Sequence, residues 1–283
     1  VRFLGNDNAR ACATAASQVQ EGRDTYWLKA LAFCQALAGE VSKAQLALGI
    51  LREMGDKDAV FEQLMDRFAG GAPAPLESLR DPAPLHLAMA RAANVQLPKD
   101  VVGASTPGML RTISISPNAP IDVRLDAAER AEQSGALPTE ALRQLYMGVS
   151  FSDQDLANPL SKAEAESGPL SRALLYRAAI IQTVPAAQAE PLSRALALAR
   201  RGGRYAPAGR VFLPILRRIP ATTDFLWLAP EAARAALFAG DNETARGWFS
   251  VLRAGAPADK EAANALAVLL PLARLAGSPE GQG

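Results

Sequence analysis

Two cysteines are the residues of this sequence whose spacing most directly predicts a chemical bond. Cys12 and Cys34 lie at equal distances from position 23, which is near the centre of Glu21–Asp24, the segment that we interpret as the turn between two helices. Residues equidistant from such a turn lie at the same level, and the Ala-rich first helix permits the roughly 5.5–6 Å Cα separation of a disulfide. We predict a Cys12–Cys34 disulfide that closes a loop of about 22 residues and contributes about 3 kcal/mol.

The alternative is a pair of buried, reduced cysteines that act as small apolar side chains. In either case we expect both to lie on core-facing stripes at helical spacing. The stripes are Ala9, Cys12, Ala16 and Val19 on the first helix, and Trp27, Leu31, Cys34 and Ala38 on the second. Because disulfides persist in oxidising compartments, the predicted bond favours the bacterial periplasm or cell envelope, reached by secretion across the inner membrane.

Groups suited to acid–base, nucleophilic or metal chemistry are scarce. His86 is the only histidine, and it lies in a predicted helix, where we expect a partly exposed side chain without a catalytic role. The sequence has no Gly-x-Ser-x-Gly, Walker A or Gly-x-Gly-x-x-Gly motif. One histidine and two bonded cysteines do not supply the three or four ligands of a zinc site. We therefore expect no enzyme activity, no cofactor and no metal.

The strongest charge asymmetry lies in Pro191–Thr223, which contains seven arginines and no Asp or Glu. Guanidinium groups bind carboxylates and phosphates, and the aromatic rings of Tyr205 and Phe212 lie among them. The segment is a candidate surface for a glycan, an acidic protein segment or a membrane head group. The alternatives are a solvated face or pairing with carboxylates on a neighbouring helix. The arginines are Arg194, Arg200, Arg201, Arg204, Arg210, Arg217 and Arg218.

Composition limits the fold and the partners. The chain has 283 residues, of which 49% are hydrophobic, and a net charge of +1. Its bias towards Ala and Leu favours helices. The near-zero charge argues against nucleic-acid binding, which usually needs a basic face. No apolar run reaches the roughly 20 residues of a membrane span, so we predict no transmembrane segment in this chain.

Gly and Pro divide the sequence into a series of predicted helices, with Pro271 expected to kink or split the last one. Helices of this length joined by short turns form antiparallel hairpins. We predict an all-α fold, an α-solenoid of such hairpins that forms a curved superhelix. The predicted helices are Asn6–Gln20, Asp24–Ala38, Glu40–Met54, Asp58–Phe68, Ala83–Asn94, Gly108–Ile113, Pro120–Gln133, Thr139–Val149, Pro169–Thr183, Ala186–Arg200, Gly209–Arg218, Pro230–Phe238, Asn242–Arg253 and Pro257–Leu275.

The positions of Pro and Gly also predict four structural regions in the chain. We expect N-terminal hairpins over 1–71, a Pro/Gly-rich connector with short helices over 72–118, C-terminal hairpins over 119–277 and a linker or tail over 278–283. The tail has the composition of a flexible linker, and the sequence begins without Met. We therefore expect the natural protein to continue at both ends.

Two segments share a spacing of small residues. Gly39 precedes Ala44 by five positions, and Gly240 precedes Ala245 in the same way. Small residues at a turn and inside the following helix let two helices approach closely. The segments resemble tetratricopeptide repeats, whose pattern places Gly and Ala at these positions. They are Thr25–Met54, where Trp27 matches the early aromatic position, and Pro230–Ala254.

The opening hairpins and Ser116–Gln144 are also similar in style to helical-repeat envelope proteins of Gram-negative bacteria. Soluble lytic transglycosylases carry a superhelical domain of such hairpins beside a catalytic domain. Their catalytic glutamate lies in a Glu-Ser motif that precedes a Gly-Leu-Met-Gln stretch. Glu166 is followed by Ser167 here, but the second stretch is missing. The resemblance therefore implies a relation to the non-catalytic superhelix only, and no catalytic role for Glu166.

Aromatic residues on the hairpin helices are expected to anchor the core, with ligand stacking as the alternative. They are Tyr26, Trp27, Trp227, Trp248 and Phe249. Together these features favour a non-catalytic protein-interaction scaffold or adaptor of the cell envelope, which binds a partner peptide or protein in its concave face. The alternatives are a helical domain that positions the substrate of a larger cell-wall-acting enzyme, and a self-assembling structural protein.

Overall fold

The computed structural model describes residues 8–21, 24–70, 76–80, 82–166 and 168–275. Within these ranges the chain is helical and contains no strand, which confirms the all-α class. Two short 3-10 helices, Lys99–Val102 and Thr223–Phe225, interrupt the α-helices. The α-helices are α1 (Asn8–Glu21), α2 (Thr25–Leu37), α3 (Val41–Glu53), α4 (Ala59–Phe68), α5 (Pro84–Ala92), α6 (Pro107–Ser114), α7 (Ile121–Gln133), α8 (Thr139–Gly148), α9 (Asp153–Ala157), α10 (Pro159–Glu166), α11 (Pro169–Ile181), α12 (Pro185–Arg201), α13 (Tyr205–Leu216), α14 (Ala229–Phe238), α15 (Asn242–Gly255) and α16 (Lys260–Leu275).

Aspartates define where several helices begin. Asp24 accepts a hydrogen bond from the Tyr26 N–H at 2.8 Å and caps α2. Asp58 and Asp241 do the same for α4 and α15, since each accepts from the backbone N–H three residues later. A side-chain oxygen at this position satisfies an amide that has no partner inside the helix. The starts predicted near Asp24, Asp58 and Asn242 are therefore within one residue of the observed ones.

Two helices were missing from the sequence prediction. The helices α9 and α10 occupy a stretch between α8 and α11 for which no helix was predicted. Ser152 caps α9 by accepting from the Asp155 N–H, and the Asp155 carboxylate accepts in return from the Ser152 N–H. This capping box starts a helix without an apolar stripe, which is why hydrophobic periodicity did not indicate it.

Two helices with a proline near their predicted start begin at other residues than expected. The helix predicted from Gly209 begins at Tyr205 instead, because Pro207 lies in the first turn of α13, where its missing N–H breaks no helical bond. The last helix was predicted to begin at Pro257, but it begins at Lys260. Asp259 precedes it and accepts hydrogen bonds from the Glu261 and Ala262 N–H groups. Pro271 lies inside α16 and does not split it.

Glycines at two turns adopt the left-handed backbone conformation. Gly39 follows α2 with φ +75° and Gly240 follows α14 with φ +74°. This region disfavours residues that carry a Cβ, so glycine suits these turns. Ala44 and Ala245, five positions later, are both buried. The structure therefore places the small residues of both repeat-like segments at a turn and inside the following helix.

The described residues form two compact units, Val1–Arg124 and Leu125–Gly283, with the boundary inside α7. The first unit includes the segment predicted as a connector, whose Leu76 and Leu79 are buried. Residues 71–75 and 81, and the predicted linker 278–283, lie outside the described ranges. Large core side chains of the first unit include Phe33, Phe61, Leu64, Leu85, Met89 and Ile113, and those of the second include Leu125, Tyr146, Phe212, Trp248 and Phe249.

Helices pack mainly against their neighbours in sequence. In the first unit α2 contacts α1, α3 and α4. In the second unit each helix from α10 to α16 contacts the next, and α14 also contacts α12 and α16. The helix α8 instead packs against α11 and α13. No described helix is both long and apolar enough to cross a membrane.

The predicted disulfide is present and joins α1 to α2. Cys12 and Cys34 are bonded, with their Cα atoms 5.5 Å apart. The expected stripe on α1 was wrong, because Ala11 and Ala15 are buried whereas Ala9 and Ala16 are exposed. The stripe on α2 was also partly wrong, because Cys34 is buried but Ala38 is exposed. Cys12 itself is half-buried and lies next to the buried Ala11.

The disulfide is expected to be the main attachment of α1. Burial of an Ala methyl group contributes about 0.8 kcal/mol, so Ala11 and Ala15 together contribute less than the approximately 3 kcal/mol of the bond. We expect Cys12→Ser/Cys34→Ser to lose hydrogen-exchange protection in α1, while helices α3–α16 keep theirs. Ala16→Ser, an exposed change on the same helix, is the control. Unchanged protection of α1 in the double variant would contradict this expectation.

Candidate functional site

The only histidine belongs to a buried polar cluster in the first unit. His86 is 7% exposed, and its Nε2 lies 2.8 Å from Asp58 Oδ2. The Ala83 N–H donates to Nδ1 at 3.2 Å, so Nδ1 is unprotonated and Nε2 donates to Asp58. Both ring nitrogens are therefore occupied, and the expected partial exposure was wrong. This histidine connects the start of α5 to the N-cap of α4.

Lysine completes this cluster. Lys29 Nζ lies 2.9 Å from both Asp56 Oδ1 and Asp58 Oδ2. Partial burial acts to raise the pKa of Asp58, but hydrogen bonds from His86, Lys29 and the Phe61 N–H outweigh it and hold that pKa well below its usual range. Burial acts to lower the pKa of Lys29, but both aspartates raise it above its usual value. The cluster is a charged contact among α2, α4 and α5.

A row of carboxylates on α7 forms a second cluster, in the second unit. Asp126, Glu129 and Glu132 recur every three residues, and Glu129 is only 1% exposed. Each one pairs with an arginine from elsewhere in the unit, because a buried carboxylate without a partner would lose its hydration uncompensated. The pairs are Asp126–Arg204, Glu129–Arg172 and Glu132–Arg210.

Glu129 has the most completely buried pair. Arg172 Nε donates to Glu129 Oε1 at 2.8 Å, and its Nη2 donates to Oε2. Tyr146 donates its hydroxyl to the same carboxylate at 2.6 Å. Burial and the charge of Glu129 raise the pKa of Tyr146 well above its usual value. The Tyr146 ring also contacts Tyr176, which contacts Phe212, so the tyrosine that binds Glu129 is held in a row of aromatic rings.

The arginine-rich segment is mostly paired with carboxylates. Five of its seven arginines form ion pairs, and Tyr205 donates its hydroxyl to the Glu231 carbonyl. These contacts favour the alternative in which the segment pairs with neighbouring helices. Arg201 and Arg218 are exposed and form no ion pair within the described residues, so anion binding there stays a prediction. The five pairs are Arg194–Glu164, Arg200–Glu231, Arg204–Asp126, Arg210–Glu132 and Arg217–Asp241.

The remaining candidates for chemistry lie on the surface. Glu166 is exposed and pairs with Lys162 at 2.7 Å. Within the described ranges no group of three or more His, Cys, Asp or Glu side chains could hold a metal ion.

The predicted aromatic anchors divide into two groups. Trp248 and Phe249 on α15 are buried in the core, as expected. Trp227 is 52% exposed, so its assignment to the core was wrong. It follows the 3-10 helix before α14, where no helix covers it completely. Tyr26 is also exposed, and its ring contacts the half-buried Trp27 at 5.1 Å.

Trp227 lines a groove that also includes residues of α10 and α12. The groove encloses about 280 Å³, and Glu164, Glu190 and Arg194 contribute its charged groups. Glu164 and Arg194 pair with each other. Glu190 is exposed and forms no ion pair or hydrogen bond with any residue in the described ranges. We call this surface the Trp227 groove, lined by Leu160, Glu164, Glu190, Ser193, Arg194, Ala197 and Trp227.

Two other concave surfaces lack this combination. A cavity of about 270 Å³ is lined by α2, α3 and α4, with Val41, Leu48 and Met65 among its walls. A groove of about 610 Å³ lies beside α15, where Arg217 and Asp241 pair at 2.9 Å. Trp248 lines the second groove but is almost completely buried. Of these three surfaces, the Trp227 groove is the one that combines a half-exposed tryptophan with a carboxylate unpaired among the described residues.

The Glu129 pair predicts a large loss of stability from a small change. Glu129→Gln leaves Arg172 buried without a counter-charge, which costs about 3 kcal/mol or more of unfolding free energy. Glu140→Gln is the control, because this carboxylate is exposed and pairs with Arg143 at the surface, so its loss should lower the unfolding free energy far less. Urea denaturation measures both. Similar losses in the two variants would contradict a dominant role for the buried pair.

Asp58 predicts a pH-dependent contribution to stability. Because its pKa is lower in the folded than in the unfolded chain, its contribution is complete above the unfolded value of about 3.9 and decreases as pH falls below it. Asp58→Asn should therefore be less stable than the natural sequence at pH 7, and the difference should decrease on acidification. Asp66→Asn, an exposed change on α4, is the control. A pH-independent difference in urea denaturation would contradict this.

Comparison with protein-family models, with curated proteins and with solved structures gives no match to this chain. The resemblance to tetratricopeptide repeats therefore stays a prediction from the residues quoted for it. The function has to be inferred from the geometry of the two polar clusters and of the Trp227 groove.

Proposed function

We propose that the chain is a non-catalytic protein-interaction scaffold of the bacterial cell envelope, in which helical hairpins stack as a TPR-like α-solenoid. The order of packing supports this architecture. Contacts of each helix with the next, together with contacts of α14 with α12 and α16, are what a stack of hairpins produces. The left-handed glycines after α2 and α14 provide the tight turns that such hairpins need.

The state of the ionisable groups supports a binding role. Catalytic acids and bases need a group that can reach a substrate proton. His86 has both ring nitrogens engaged in internal hydrogen bonds. Glu129 and Arg172 are buried and bound to each other. These polar side chains stabilise helix contacts, and a substrate could engage them only by breaking those contacts.

Exposure of Trp227 is the observation that carries the proposal. Tryptophan is enriched among the residues that dominate binding energy at protein interfaces. Here it is half-exposed at the wall of a groove and is not a member of the core. We infer that the partner protein docks over the Trp227 groove and covers the indole ring.

The disulfide supports the proposed compartment. A bond between Cys12 and Cys34 persists where the surroundings are oxidising, as in the bacterial periplasm. The same bond ties α1 to α2, and the fully buried residues of α1 that the structure describes are two alanines. A scaffold that works outside the cytoplasm would gain stability from it without a larger core.

Partner capture tests the proposal. The tagged natural chain should retain a partner protein from an envelope extract of the source organism. Purified partner should then bind Trp227→Ala about 30-fold more weakly, the effect of removing an interface residue worth about 2 kcal/mol. Leu46→Ala, which truncates another strongly exposed apolar side chain, should leave affinity unchanged.

Two results would overturn the proposal. One is the absence of any captured protein whose binding depends on Trp227. The other is turnover of a cell-wall polymer by this chain alone, which would make it an enzyme. Retention of cell-wall polymer without turnover, and without a protein partner, would instead favour a substrate-positioning domain.

A further inference from the structure

The charges of the Trp227 groove do not cancel. Arg194 and Glu164 form an ion pair, so their charges neutralise each other. Glu190 lines the same groove and forms no ion pair or hydrogen bond with a residue that the structure describes. The groove therefore carries a net negative charge beside a half-exposed indole ring.

Indole and carboxylate together suit a cation. Tryptophan is the best of the aromatic side chains at attracting a cation to its ring face. A carboxylate beside it adds a charge-assisted hydrogen bond to a guanidinium or ammonium group. Both attractions act on the same class of ligand, whereas an acidic segment would be repelled by Glu190.

The apolar part of the groove suits the stem of a long basic side chain. Leu160, Ala197 and the Trp227 ring provide the apolar surface of the lining. Lys and Arg place their methylene groups on such surface while the charged end reaches a polar group. A volume of about 280 Å³ lies at the lower limit of small-molecule pockets, so it suits a single side chain better than an extended ligand.

We propose that the Trp227 groove binds an Arg or Lys side chain from a basic segment of the partner protein. This inference rests on the proposed function for the same surface and specifies the chemistry of the partner. The basic side chain lies along the apolar wall, its cationic end contacts Glu190, and the indole ring of Trp227 packs against it. Arg194, held by Glu164, does not compete for Glu190.

Labelled peptides test this proposal with the full chain. A fluorescent tetra-arginine amide should bind, as measured by anisotropy at low salt, and the tetra-citrulline amide, which has the same shape without charge, should bind at least 10-fold more weakly. Trp227→Ala and Glu190→Gln should each weaken tetra-arginine binding about 5-fold or more. Glu243→Gln is the matched control, because it removes an exposed carboxylate of α15 that has no ion pair in the described residues.

Each contrary result has a distinct meaning. Equal binding of the citrulline peptide, or equal effects of Glu190→Gln and Glu243→Gln, would overturn the cation site. Binding of an N-acetylglucosamine oligomer that depends on Trp227, without binding of tetra-arginine, would also overturn it and would assign the groove to a glycan. If tetra-arginine binds as expected but Trp227→Ala retains the partner protein fully, the cation site stands and the proposed docking of that partner fails.

Discussion

Burial of carboxylates on α7 is the constraint on which the second unit depends. A carboxylate as buried as Glu129 is tolerated only when a well-placed cation and hydrogen bonds replace its lost water. Arg172 supplies the cation from α11, and Arg210 supplies one to Glu132 from α13. Because each pair has a defined geometry, together they fix how α11 and α13 lie against α7.

The same constraint explains why a charge-biased segment is not a free basic surface. Residues 191–223 contain no carboxylate, so the sequence indicates an excess of positive charge. The compensating groups lie far along the chain, as with Arg204 and Arg210, whose partners on α7 are 78 residues earlier. Local charge in a sequence therefore says little about local charge on a folded surface when helices from distant segments pack together.

The features that could be predicted from the sequence are those set by interactions between residues close together in the chain. Capping aspartates such as Asp24 act within a few residues, so the helix starts were accessible, and the symmetric spacing of two cysteines sufficed for the disulfide. The burial of individual side chains could not be predicted from the sequence. Trp227 and Trp248 are the same residue type in helix-rich surroundings, yet one is half-exposed and the other buried, because burial depends on which distant helices cover each ring. The spacing of Asp126, Glu129 and Glu132 was a visible signal, but their partners were not.

The two polar clusters and the Trp227 groove differ in whether their charged groups already have partners within the protein. The histidine cluster of the first unit and the carboxylate row of the second hold helices together, so their charges are engaged before any ligand arrives. The Trp227 groove differs, since Glu190 has no ion-pair partner in the described residues and about half of the Trp227 surface is open to water. In the binding role proposed above, free energy is gained when the partner covers that ring and pairs that charge.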